Sequence, residues 1–185
     1  MYGLVNKAVE QLVKSQFGED KWSEIATKAN VEHSFISMDT YSDQVTYDLV
    51  AAASEILEIP AVEILEAFGE HWIQYTVDEG YGQTVSMYGN SVPEFLHNLN
   101  NLHAQIRLSL PELNPPTITC ETTGSGDFLV CYQSDRAGLA PMLVGLLRGL
   151  GKRFCTPVTV EYVPPIDQVQ TQEYFLVSYA VQKAA

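Results

Sequence analysis

Leu4, Val5, Ala8, Val9, Leu12 and Val13 recur at three- and four-residue spacing, which predicts an opening amphipathic helix that Gly18 can stop. A second short helix carries Trp22 and Ile25. Ser42 is placed to cap a third, running through Val45, Leu49, Val50 and Ala53 and ending before Pro60. Pro60 then suits the first turn of a helix containing Val62, Ile64, Leu65, Phe68 and Trp72. From Asp78 to Asn90 three glycines interrupt the pattern, so this stretch reads as a loop with at most one short helical turn. Ser91-Val92-Pro93-Glu94 is a capping box. It opens a helix through Phe95, Leu96, Leu99, Leu102, His103 and Ile106 that stops near Leu110-Pro111.

Past Pro115-Pro116 the period changes from helical to alternating. Thr117–Thr122 and Phe128–Ser134 read as a hairpin around Gly124-Ser125-Gly126. A helix from about Ala140 to Phe154 follows, then strands near Val158–Val163 and Tyr174–Val181, with the Gln-rich stretch Gln168–Gln172 as a loop. Two strands, a helix and two strands predict an antiparallel sheet with helical cover in an α+β domain. There is no internal repeat.

A chain of 185 residues, 46% of them apolar, is long enough to bury a core around a ligand. Its net charge of -13 argues against broad electrostatic binding to nucleic acid or an anionic membrane. The scarcity of cations makes Arg136, and the group Arg148, Lys152 and Arg153, stand out. No apolar run approaches a membrane span, and no basic-then-apolar leader follows Met1, so a cytoplasmic protein is expected. Cys120, Cys131 and Cys155 have neither disulfide-framework nor zinc spacing; Cys120 and Cys131 are candidates to face each other across the hairpin, with reduced thiols the default.

Two features carry chemistry. Tyr132-Gln133-Ser134-Asp135-Arg136 reads as a strand, which puts Tyr132, Ser134 and Arg136 on one face. Two hydroxyls and a planar guanidinium suit a bidentate carboxylate, although the same pattern also describes an ordinary half-exposed strand. His103 shares an apolar stripe with Leu96, Leu99 and Ile106, where an isolated histidine is more often a core residue bonded to a carbonyl than a ligand. Together the two features match a haem, which needs an imidazole for iron and cationic or hydroxyl donors for its propionates. His33, His71 and His97 are weaker candidates: His33 lies in a polar connection, His97 points to another side of the helix, and His71, beside Trp72, is expected to face away from it. HxxxH, HExxH, CxxC, GxSxG, Walker and GxGxxG patterns are all missing, which disfavours zinc, hydrolase and nucleotide chemistry.

The sequence resembles the haem–nitric oxide/oxygen binding (H-NOX) family, including cyanobacterial stand-alone members and the haem domain of soluble guanylate cyclase. The likeness runs from Met1-Tyr2-Gly3-Leu4-Val5 to about Tyr179. It rests on a complete YxSxR motif (Tyr132, Ser134, Arg136), a proximal histidine at His103 in Asn101-Leu102-His103, a haem-distorting proline at Pro116, and the segments Gly138–Met142 and Gly149–Phe154. The resemblance implies one domain over 1–185, with a helical subdomain of about 1–62, a mixed subdomain of about 63–185 containing a four-stranded antiparallel sheet, and haem b between them. It places His103 on iron, Tyr132, Ser134 and Arg136 on the propionates, and Val5, Trp72, Met142 and Leu146 in the distal pocket. The family's Cys-rich zinc pattern is not reproduced.

Oxygen-binding members carry a tyrosine on the helix after YxSxR; Leu139–Leu147 has Pro141 and Met142 but no tyrosine. The expectation is therefore a non-enzymatic sensor that binds NO and CO at ferrous haem and disfavours O2, with Trp72 and Tyr75 as remaining candidate donors. The resemblance further implies that NO breaks the Fe–His103 bond. Because no output domain is read in these 185 residues, the signal is expected to reach a separate protein, a histidine kinase or a cyclic-di-nucleotide enzyme. The alternatives are an O2-binding haem sensor, a peroxidase-type haem enzyme needing a distal His or Arg, and a haem-free interaction module.

Overall fold

The computed structural model describes residues 1–164 and 172–179. Four helices open the chain: α1 (Gly3–Phe17), α2 (Glu19–Lys28), α3 (Asp43–Leu57) and α4 (Ala61–Thr76). A π-helical turn (Val77–Tyr81) runs on into α5 (Gly82–Ser86), and α6 (Val92–Ser109) completes the helical half. The hairpin β1 (Thr117–Thr122) and β2 (Phe128–Gln133) follows, then α7 (Ala140–Arg153), β3 (Val158–Val163) and β4 (Gln172–Tyr179). The strands form one antiparallel sheet in the order β1-β2-β4-β3, giving the α+β class expected. Of the expected Gln168–Gln172 loop, residues 168–171 lie outside the described residues and Gln172 opens β4; the expected strand end at 180–181 also lies outside them.

The caps act as the sequence suggests. Ser42 accepts from the Gln44 N–H, and Ser91 accepts from the Glu94 N–H; such caps are worth about 1 kcal/mol each. Glu94 returns its carboxylate to the N–H of Asn90, at 2.9 Å, rather than to Ser91 itself.

Residues 78–90 differ from the expected loop. The chain stays helical through Ser86, with Gln74 bonded to Asp78, the Ser86 hydroxyl donating to the Gly82 carbonyl, and Val85 packed into the core. Gly80 and Gly82 tolerate helix; only Gly89, at φ 154, makes the turn, with its Cα close against the backbone of Phe95.

Two large hydrophobic cores form among the described residues, beside a small third cluster of Val50, Leu65 and Leu139. Ala8, Val9, Leu12, Trp22, Ile25, Leu49 and Phe68 pack among α1–α4. Phe95, Leu96 and Leu102 of α6 pack with Ile118, Val130, Phe175 and Val177 of the sheet and Leu143, Leu147 and Leu150 of α7. The two are joined by the crossing of α4 and α7, which meet backbone to backbone. A Cβ on Gly69 would lie 2.0 Å from the Met142 carbonyl oxygen, and one on Gly145 would lie 1.9 Å from that of Glu66. A Cβ on Gly149 would be less crowded, 2.9 Å from the Ile73 side chain and 3.0 Å from the Glu70 carbonyl oxygen. Ion pairs Arg148–Glu66 and Lys152–Glu70 run along this seam, and Arg153 donates to the Ser86 hydroxyl, so the basic group of α7 is taken up internally.

The hairpin register rules out the Cys120–Cys131 facing pair. Cys120 is opposite Val130 and Cys131 is opposite Thr119. Because successive residues alternate sides, Cys120 joins Ile118 and Val130 on the core face while Cys131 occupies the other. Burial pushes the Cys120 thiol up to about 11.

Candidate functional site

An apolar cavity of about 260 Å³ lies between the two cores, close to the lower end of small-molecule sites, about 300 Å³. Leu99, Leu102, His103 and Ile106 enter from the α6 side, and Val5, Trp72 and Met142 from the helical core. Leu146, Pro116, Tyr132, Ser134 and Arg136 complete the set expected from sequence: all nine of those residues line this one cavity.

His103 is the cavity's histidine. Burial lowers its pKa, opposed in part by the nearby backbone of Pro116, whose only polar group is a carbonyl. Its Nδ1 is buried and closes no hydrogen bond of ordinary geometry. The ring is therefore neutral near neutral pH and keeps a lone pair for a ligand, as an iron site requires.

The polar end is built differently from the expected strand. β2 stops at Gln133, and Ser134 to Arg136 form a turn in which the Ser134 hydroxyl accepts from the Arg136 N–H at 3.1 Å. Ser and Asp side chains favour such local bonds over a ladder. Tyr132, Ser134 and Arg136 still converge on the cavity, through the turn rather than by alternation. Burial raises the Tyr132 phenol pKa, and the Ser134 hydroxyl works against that. Arg136 donates through Nε to Asp43 Oδ2 at 2.7 Å and through a second nitrogen to the Asn114 carbonyl. Asp43 also holds the Met1 ammonium at 2.9 Å. Burial pushes the Asp43 carboxyl up, but its two cations outweigh this and hold it below the usual carboxylate range. Sequence reasoning missed Asp43 and Asn114, which bear no local mark of their role.

The expected donor Tyr75 is not on the cavity. It is buried behind Trp72, ring centroids 5.9 Å apart, with its hydroxyl unpartnered and its pKa pushed up by burial to about 12. Tyr2 and Tyr81 line the cavity instead, Tyr81 being delivered by the π turn. The other histidines stay outside: His71 lines a larger polar groove of about 790 Å³ on α1, α4 and α7. His97 bonds the Pro93 carbonyl, and His33 sits between Ser23 and Thr27. Among the described residues no three His, Cys, Asp or Glu side chains converge as a metal cluster, and no helix is long and apolar enough to cross a membrane.

The donor set fits a haem. A neutral imidazole projects from an apolar wall, and the opposite demand, for carboxylate partners, is met by two hydroxyls and a guanidinium at one end.

Comparison with known proteins bears on the family and the fold. Soluble guanylate cyclase gcy-31 of Caenorhabditis elegans is 27% identical over 163 residues, covering 87% of this chain and 23% of that protein. Soluble guanylate cyclase gcy-32 of the same organism is 30% identical over 157 residues, with 83% and 23% covered. The chain thus spans about a quarter of the length of these relatives. An H-NOX protein from S. oneidensis, crystallised in the Fe(II)NO ligation state, superposes with a TM-score of 0.86 at 17% identity, covering 98% of this chain and 100% of that one. The unliganded Fe(II) H-NOX protein from K. algicida gives 0.85 at 20% identity, with 100% of each chain covered. Both share the fold. The sequence profile of the Haem-NO-binding family matches residues 2–162, and the chain belongs to that family, the H-NOX domains related to soluble guanylate cyclase.

Proposed function

We propose that this protein is a haem-based sensor that takes NO and CO and disfavours O2, and that it signals by releasing His103. A ferrous haem b bound in the cavity would supply an iron able to take a diatomic gas, and His103 would hold that iron through a ring nitrogen. Arg136, Tyr132 and Ser134 bind the carboxylates. Pro116, in the loop before β1, would bear on the macrocycle, and Val5, Trp72, Met142 and Leu146 would shape the gas-binding side. The observation that carries this reading is the convergence, in one apolar cavity, of a neutral histidine and a hydroxyl–guanidinium end.

Selectivity follows from the gas-side wall. Bound O2 gains strongly from a hydrogen-bond donor and NO gains little, and α7 offers Met142 and Leu146 there. Release of His103 would free α6 from its tether and let the two cores shift, which is the two-state element a switch needs. The effector is a separate histidine kinase or cyclic-di-nucleotide enzyme, and the protein itself is not a catalyst. The test is the absorption spectrum of purified ferrous protein in nitrogen, in air, with CO and with NO. Shifts with CO and NO but not with air support the reading, and a colourless protein that takes up no added haem contradicts it.

An O2-binding sensor has one observation in its favour: Trp72 and Tyr81 both carry a donor and both line the cavity. A stable spectral change in air that is abolished in Tyr81→Phe would select it.

A further inference from the structure

Asn100 lies one helical turn before His103 on α6 and grips the free edge of the sheet. Its Nδ2 donates to the Ile118 carbonyl at 2.6 Å, and its Oδ1 accepts from the Ile118 N–H at 3.1 Å. β1 is an edge strand, paired only with β2. Backbone polar groups in an antiparallel strand alternate between partner and edge, and Ile118 turns both of its own outward to this carboxamide. Asn100 therefore replaces one rung of a missing neighbouring strand.

The anchor point is firm. The Ile118 side chain is 2% exposed and belongs to the sheet core. It follows Pro116 by two residues, as Asn100 precedes His103 by three, so one two-bond contact sets the offset between the histidine and the proline loop. Among the described residues, no other side-chain hydrogen bond joins α6 to the sheet. The other polar bonds of α6 side chains are local: Glu94 with the Asn90 N–H, His97 with the Pro93 carbonyl, Asn98 with the Glu94 carbonyl and Asn101 with Asn98.

We propose that Asn100 is a positioning residue for His103, holding α6 to β1 so that the pull along the His103 side chain is borne by the sheet. The inference rests on the haem-sensor reading and deepens it. With the contact in place, α6 would stay held to β1 when His103 is released; without it, α6 would be free to move with His103, and the hold of His103 on iron would weaken.

The experiment compares wild type, Asn100→Ala, Asn100→Asp and the neighbouring control Asn101→Ala. The first readout is hydrogen exchange at the Ile118 amide, with and without haem. The second is the iron–histidine stretching band of the ferrous protein free of gas. In Asn100→Ala the Ile118 amide should exchange about tenfold faster or more, and the stretching band should move. Asn100→Asp keeps the acceptor for the N–H but faces the carbonyl with a carboxylate oxygen, so exchange should stay slow while the band still shifts. Asn101→Ala should leave both readouts at wild-type values. Unchanged Ile118 exchange in Asn100→Ala, or faster exchange with an unmoved band, would overturn the proposal. Failure of the wild type to take up haem is a different result: it removes the sensor reading and this role with it, whatever Ile118 does.

Discussion

The carboxylate of Asp43, at the first turn of α3, holds the guanidinium of Arg136, 93 residues later, with Nε 2.7 Å from Oδ2. One cation thereby ties the helical half of the molecule to the turn after β2 and also lines the cavity's polar end. In the proposed reading, haem carboxylates share or displace Asp43 at this guanidinium, which makes the pair a connection between occupancy of the site and the placement of α3.

A double-mutant cycle on Asp43→Asn and Arg136→Ala in the haem-free protein should show coupling of about 0.2–1 kcal/mol, the range for partly exposed ion pairs, read from urea midpoints. Because the folded carboxyl lies below its unfolded value of about 3.9, the contribution is complete above about pH 4 and fades only as pH falls through the lower folded value. Additive single effects, or coupling already lost at pH 6, would contradict the assignment.

Arg136→Ala should speed haem loss more than Ser134→Ala. A charge-assisted bond to carboxylate is worth about 1.5–3 kcal/mol and a neutral one about 1. Equal rates of transfer to a haem scavenger would mean that the carboxylates lie elsewhere.

Gly145→Ala tests the crossing that sets Trp72 and Met142 beside each other. Its Cβ would meet the Glu66 carbonyl, a backbone atom that has no rotamer to change. The helices must separate, at a cost of about 1–3 kcal/mol or more. Gly124→Ala, with open space around it, is the control. Matching urea midpoints for the two variants would refute the close crossing.

The gas-side wall can be tested by Met142→Tyr, which places a phenol on α7. Ferrous wild type should show no stable spectral change in air, and Met142→Tyr should gain one. A stable change in the unmodified protein would point to Trp72 or Tyr81 as the donor and to the O2-binding reading.

What the sequence disclosed depends on how local each cause is. Ser42, Ser91 and the Gly124–Gly126 turn act within a few residues, so the helix starts and the hairpin were readable directly. His103 and the YxSxR triad were readable as residue types, and their convergence was legible from the family resemblance, since the strand alternation read from spacing ends at Gln133. The extension of helix through Gly80 and Gly82 was hidden because packing overrides glycine's propensity. The π turn delivers Tyr81 to the cavity, whereas Tyr75, upstream of it on α4, is buried in the helical core. Asp43, Asn100 and the glycine seam act on partners far along the chain; the only trace was the four-residue spacing of Gly145 and Gly149 on one face of α7.

The central claim is that His103 joins this protein to iron, and the ferrous absorption spectrum of His103→Gly tests it most directly. The variant should fold, retain little or no haem alone, and recover a haem spectrum when imidazole is added, because the cavity left by the side chain admits the free ring. Haem retention and a ferrous spectrum identical to wild type without imidazole would show that another residue is the ligand, and the account built on α6 would fall.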